Sequence, residues 1–76
     1  MTNEDLDMYE ELSKTVDLAQ DKLTGEILLL ASMGIRRNEP VDEYVLRVEN
    51  EIASIKACKR ELKQVQDFRK SFLLTV

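Results

Sequence analysis

Only three residues in this 76-residue chain are typical breaks in regular secondary structure: Gly25, Gly34 and Pro40. Because breaks concentrate at glycine and proline, the chain divides into one long segment before Gly34 and another after Pro40. Aromatic residues make up 5% of the chain and tryptophan is absent, which disfavours a β-rich fold. A chain of this length forms one domain, residues 1–76, with a small core.

Apolar residues recur every three or four positions in both segments, as on one face of a helix. The first set is Leu6, Tyr9, Leu12, Val16, Ala19, Leu23, Ile27 and Leu30; the second is Val41, Val45, Val48, Ile52, Ile55, Cys58, Leu62, Val65, Phe68, Phe72 and Val76. We predict an all-α fold, a coiled-coil-like antiparallel hairpin of two helices at about 3–33 and 39–73 with a turn at about 34–38. The expected centre of the contact between the helices is Leu23, Ile27, Ile52 and Ile55.

Residues typical of helix ends flank both segments. Thr2 can cap the first helix, with Asp5 at the second position of a capping box. Gly34 suits the left-handed residue that closes a Schellman motif. Asn38 suits the N-cap of the second helix, with Pro40 in its first turn.

Charge is distributed unevenly along the chain. Residues 1–21 contain seven acidic residues and one lysine, whereas residues 56–70 contain six basic and two acidic residues. In the hairpin these blocks lie side by side, with residue 17 opposite residue 56, and we expect their charges to complement one another. Because the formal net charge is −4, we interpret the basic block as a complementary helix face and predict no nucleic-acid binding.

The residues needed for the common catalytic and metal sites are missing. Histidine is absent, and the single Cys58 lies on the apolar stripe, where a small buried side chain is expected. Neighbouring carboxylates such as Glu10 and Glu11 point in different directions on a helix, and no glycine-rich phosphate loop is present. We expect no enzyme activity, cofactor or small-molecule substrate, no membrane insertion, and a cytoplasmic location.

The chain has more apolar residues near the turn than one contact between two helices can bury. Ile27 to Leu30 are four consecutive apolar residues, and Val41 to Val48 are similarly rich. Exposed apolar patches commonly mark a protein interface, so we predict that a partner protein or a second copy completes the hairpin. The partner-binding residues predicted from this surplus are Leu28, Leu29, Tyr44 and Leu46.

The segment Glu39–Tyr44, in which a proline and acidic residues precede a tyrosine, and the following Ile52–Ile55 resemble the small needle co-chaperones of bacterial type III secretion systems. The resemblance implies a helical hairpin that packs on a larger chaperone of tetratricopeptide-repeat type. The pair would keep a needle subunit soluble in the cytosol until export. By position, Tyr44, Val48, Ile52 and Ile55 would contact the chaperone.

Two other interpretations stay open. In one, the chain is a self-associating regulator whose hairpins form a homodimeric four-helix bundle. In the other, it is a small acidic inhibitor of phage type, which needs Glu10, Glu11, Asp17 and Asp21 exposed. The sequence also leaves open a second contact site at Arg36 and Arg37 or at Phe72–Val76, and the role of Gly25.

Overall fold

The computed structural model describes all 76 residues and contains two helices, α1 at Asn3–Ser32 and α2 at Val41–Thr75. They pack against each other along their length as an antiparallel hairpin, so that Ser13 lies near Arg69 and Lys22 near Glu61. The molecule is a rod of 60 × 15 × 12 Å. The predicted all-α hairpin is confirmed, with each helix boundary within two residues of the expected position.

The capping box at the start of α1 forms as predicted. The backbone N–H of Asp5 donates to Thr2 Oγ1 at 3.1 Å, and the backbone N–H of Thr2 donates to Asp5 Oδ2 at 3.0 Å. These bonds satisfy two amides that have no partner within the helix. The bond from the Thr2 backbone N–H, and secondarily the Thr2 side chain, favour the ionised carboxylate and lower the pKa of Asp5.

The turn differs from the Schellman motif and the Asn38 cap that the sequence predicted. Gly34 has no positive φ; the left-handed residue is Asn38, at φ 66°. The C-cap residue of α1, Met33, is extended, and α2 begins at Val41 with Pro40 as its N-cap residue. Asparagine tolerates the left-handed region better than most residues, and the residue before a proline is driven out of the helical region. Helix α2 therefore starts after Pro40 and not at residue 39.

The core is small and lies at mid-length of the rod. Four residues are buried: Val16, Ala19, Cys58 and Leu62. Leu23 and Val65 pack against Val16, Ala19 and Leu62 and extend this cluster in both directions. Cys58 is a free, buried thiol, as its place on the apolar stripe predicted.

Candidate partner-binding surface

Buried and half-buried positions follow a seven-residue repeat, with steps that alternate between four and three residues. We call these positions the seam. On α1 and its C-cap the seam residues are Asp5, Tyr9, Leu12, Val16, Ala19, Leu23, Glu26, Leu30 and Met33; on α2 they are Tyr44, Val48, Glu51, Ile55, Cys58, Leu62, Val65, Arg69 and Phe72. Outside the seam, only Ser13, Glu39 and Arg47 are half-buried.

The seam is not the apolar stripe that the sequence predicted. Leu23 and Ile55 lie in it as expected, but Ile27 is 48% exposed and Ile52 is 37% exposed. Glutamates take the adjacent seam positions, and Leu6, Val41, Val45, Phe68 and Val76 of the predicted stripes are also exposed. Two consecutive steps of four residues, as in Ala19–Leu23–Ile27, move a stripe round the helix, whereas the alternation of four and three keeps the seam facing its partner helix.

The hairpin has two different flanks beside the seam. On one, Leu29, Arg47 and Ser54 line an open cleft of about 340 Å³; we call this side the cleft flank. Lys22 and Glu61, which occupy the same heptad position as these residues, form an ion pair of 3.5 Å. On the opposite side, Ile27, Val45 and Ile52 each follow a seam residue and share one heptad position. We call that side the open flank.

The carbonyl groups at the C-terminal end of α1 are bound by side chains of α2. The Tyr44 hydroxyl donates to the Met33 carbonyl at 3.3 Å, and Arg47 Nη2 donates to the Gly34 carbonyl at 2.9 Å. These bonds satisfy carbonyls just past the helix end, so the turn does not need a Schellman motif. Because Tyr44 lies one turn into α2, the first turn of α2 projects beyond the end of α1.

Glu39 holds Arg47 in this position through a two-pronged ion pair. Arg47 Nε lies 2.7 Å from Glu39 Oε2, and Arg47 Nη2 lies 2.8 Å from Glu39 Oε1. Glu39 Oε1 also accepts the backbone N–H of Arg36 at 3.0 Å. The bonds from Arg47 and from the Arg36 backbone N–H lower the pKa of Glu39 to about 2. The bonds from Arg47 to Glu39 raise the pKa of Arg47. We call Glu39, Tyr44 and Arg47 the turn clamp.

The structure separates the seven predicted partner-binding residues into two groups. Three lie in the seam and are half-buried: Tyr44, Val48 and Ile55. Four are exposed: Leu28, Leu29, Leu46 and Ile52. Leu28 and Leu46 lie opposite the seam, on the two outer edges of the rod, whereas Leu29 lies on the cleft flank. Exposed leucines therefore surround the turn end of the hairpin on three sides.

Glu26 and Glu51 form an acidic pair within the seam. Both are half-buried, and Glu51 Oε1 is shielded from solvent without a hydrogen-bond donor. The neighbouring carboxyl of Glu26 is the main cause of a raised pKa of Glu51, because it can accept a hydrogen bond from the protonated acid, and burial and the charge of Glu26 act in the same direction. These surroundings therefore favour the protonated form of Glu51.

Four basic residues on α2 have no carboxylate within 4 Å and surround a shallow depression of about 330 Å³. We call them the basic edge: Lys56, Lys59, Arg60 and Lys63. The expected complementarity between the helices is therefore not formed by ion pairs at these positions. The one ion pair between α1 and α2 joins Lys22 of α1 to Glu61 of α2, the reverse of the expected polarity. Residues beside and opposite the seam point away from the partner helix, which keeps the two blocks apart.

The sequence interpretation missed the turn clamp and the acidic pair. Counting strict seven-residue steps from Ala19 and Cys58 would have placed Glu26 and Glu51 in the seam. No spacing signal indicates the bond between Glu39 and Arg47, because it depends on the path of the turn. Arg36 lies beside the cleft and Arg37 is exposed, and neither forms an ion pair.

The structure contains no group of three or more cysteine or acidic side chains placed to hold a metal ion. Neither helix has a stretch that is both long and apolar enough to cross a membrane. Comparisons with protein-family models, curated proteins and solved structures find no match to this chain.

Proposed function

We propose that this chain is a non-enzymatic protein-binding module whose turn end is held in the groove of a larger protein. The observation that supports this proposal is the placement of three exposed leucines, Leu28, Leu29 and Leu46, round the turn end. Leu28 is 64% exposed and Leu46 is 56% exposed, and neither helix of the hairpin covers them. Leucine side chains left in water favour burial by a partner.

The positions of these leucines favour a concave partner. A flat surface can cover only one side of a narrow rod, whereas Leu28 and Leu46 lie on opposite edges and Leu29 lies between them. Stacked helical repeats form extended concave surfaces that can wrap a rod of this width. We therefore propose the co-chaperone role that the resemblance suggests, with a tetratricopeptide-repeat chaperone as the partner and a needle subunit as the cargo kept soluble.

In this proposal, residues on the surface and in the seam have different functions. Leu28, Leu29 and Leu46 contact the groove directly. Tyr44 holds the turn through its bond to Met33, so that it positions the leucines around it. Val48 and Ile55 support α2 from the seam, and Ile52 lies on the side that the groove leaves open.

Titration with the tetratricopeptide-repeat chaperone and the needle subunit of the same organism tests this proposal. We expect the double change Leu28→Asp with Leu46→Asp to weaken binding by about tenfold or more, since central apolar contacts dominate interface affinity. Leu18→Asp is the matched control, because Leu18 is equally exposed on α1 but far from the turn; it should bind as the unmodified chain does. Absence of binding to both proteins, or equal binding by the double variant, would contradict the proposal.

A further inference from the structure

The open flank has a pattern of side chains that the hairpin itself does not use. Near the turn the positions that directly follow seam residues are apolar, with Ile27, Val45 and Ile52 exposed; Asp42 and Glu49 lie further out on the same flank. Further from the turn, the α2 side of this flank presents the basic edge. Lys56, Lys59 and Lys63 occupy heptad positions on this flank, and Arg60 lies next to them opposite the seam.

The α1 side of the same flank is acidic at the same distance from the turn. Asp17 lies on the flank and Asp21 lies next to it opposite the seam, close to the level of the basic edge, whereas Glu10 lies on the flank further from the turn. None of the three forms an ion pair. The contact of Lys22 with Glu61 places the stretch of α1 around Asp17 and Asp21 beside the basic edge of α2. One flank therefore has an acidic strip and a basic strip side by side.

We propose that the open flank binds a second copy of this chain, with the turns of both hairpins at the same end. A twofold axis parallel to the rod places α1 of each copy against α2 of the other. The acidic strip of one copy then faces the basic edge of the second copy at the same height, twice in the dimer. The apolar group of Ile27, Val45 and Ile52 meets its own copy at the turn end.

The opposite orientation is disfavoured by charge. If the open flanks met with the turns at opposite ends about a twofold axis, α1 would lie against α1 and α2 against α2. Acidic strips would then oppose each other, and so would basic edges, which repel. The charge pattern therefore selects the arrangement with both turns together.

The flank is large enough for a stable dimer. A face of 60 by 15 Å offers about 900 Å² per copy, near the roughly 800 Å² per partner of a standard interface. The result is a four-helix bundle in which the cleft flank and the outer leucines stay free. The dimer and the proposed groove partner thus use different surfaces, so an experiment can contradict either proposal and leave the other intact.

Charge reversal on each strip tests this dimer. One variant combines Lys59→Glu with Lys63→Glu, and the other combines Asp17→Lys with Asp21→Lys. We expect the unmodified chain to sediment as a dimer whose dissociation constant rises with salt, and each variant to dissociate about tenfold or more readily. An equimolar mixture of the two variants should restore the dimer, because both contacts in the heterodimer are again between opposite charges.

The matched control combines Arg36→Glu with Arg37→Glu, which changes the net charge as the lysine reversals do but lies in the turn. It should dimerise normally, and when the two are mixed it should leave the aspartate variant monomeric. Circular dichroism of each variant establishes that the helices are retained. Restoration by mixing also shows that both variants fold. A monomeric unmodified chain at sub-millimolar concentration, or dimers that survive both reversals, would overturn the proposal.

Spin labels measure the orientation directly. A single label at Arg37→Cys, in a chain with Cys58→Ala, reports only the distance between the two turns of a dimer. Turns at the same end give a distance well below half of the 60 Å length of the rod. A distance near the full length would show the opposite orientation and overturn the proposed arrangement.

Discussion

The carboxyl groups of Glu26 and Glu51 meet across the seam between α1 and α2, at positions where a coiled coil normally places apolar side chains. Their apolar neighbours Ile27 and Ile52 lie beside the seam on the open flank instead. The same arrangement thus weakens the contact within one hairpin and leaves apolar surface for another protein. This relationship connects the stability of the chain to its proposed interfaces.

The acidic pair predicts that the hairpin becomes more stable as the pH falls from neutral toward 4.5, the ordinary pKa of Glu51. The pKa of Glu51 is raised above its ordinary value of 4.5 in the folded chain. At pH values between the ordinary pKa and the raised pKa, the folded chain therefore binds more protons than the unfolded chain. Urea unfolding followed by circular dichroism across this range measures the effect. Glu51→Gln should remove the rise, whereas Glu49→Gln, an exposed neighbour on α2, should preserve it. A stability that is constant or falls over this range in the unmodified chain would contradict the pairing.

The turn clamp predicts the opposite slope at lower pH. The pKa of Glu39 is about 2 in the folded chain, below its ordinary value of 4.5. Its stabilising contribution is therefore complete above 4.5 and is lost as the pH falls toward 2. Glu39→Gln should destabilise the hairpin at neutral pH and reduce the loss of stability in acid. Glu43→Gln, an exposed glutamate one turn away, is the control, and equal acid sensitivity of the two variants would argue against the clamp.

The Tyr44 hydroxyl predicts a measurable effect from the loss of one oxygen atom. Tyr44→Phe removes the bond to the Met33 carbonyl and should lower the free energy of unfolding by about 0.5–1.5 kcal/mol. Tyr9→Phe is a matched control, because the Tyr9 hydroxyl has no hydrogen-bond partner within the chain. Thermal melts of the two variants are sufficient for the comparison. Equal melting temperatures for the two variants would mean that the bond between Tyr44 and Met33 does not contribute to the stability of the hairpin.

Gly25 lies inside α1, and a methyl group built on it would meet no atom within 4 Å. A close approach by α2 therefore does not require this glycine. Gly25→Ala should stabilise the chain by about 0.5–1 kcal/mol, since alanine loses less backbone entropy in a helix. Ala53→Gly at an exposed position of α2 should have the opposite effect of similar size, and thermal melts measure both. Destabilisation by Gly25→Ala would indicate that the helix needs freedom at this position.

The parts of the structure that could be predicted are those set by local preferences. The capping residues Thr2 and Asp5 and the two long helices follow from residue type and apolar spacing. The position of the seam does not follow from local preferences, because Glu26 and Ile27 are adjacent and either can face the partner helix. That choice depends on the supercoil of the whole hairpin. The same holds at the turn, where long-range bonds from Arg47 replaced the local Schellman motif expected at Gly34.

The most direct test of the account compares Leu62→Ala with Ile52→Ala. Leu62 is buried in the seam and Ile52 is partly exposed beside it, so the two changes distinguish the observed seam from the predicted stripe. The free energy of unfolding is measured in the more stable Gly25→Ala background, at a concentration low enough to keep the chain monomeric. Leu62→Ala should cost about 2–4 kcal/mol and Ile52→Ala about 1 kcal/mol or less. A loss from Ile52→Ala as large as that from Leu62→Ala would place Ile52 in the seam and remove the open flank from the structure.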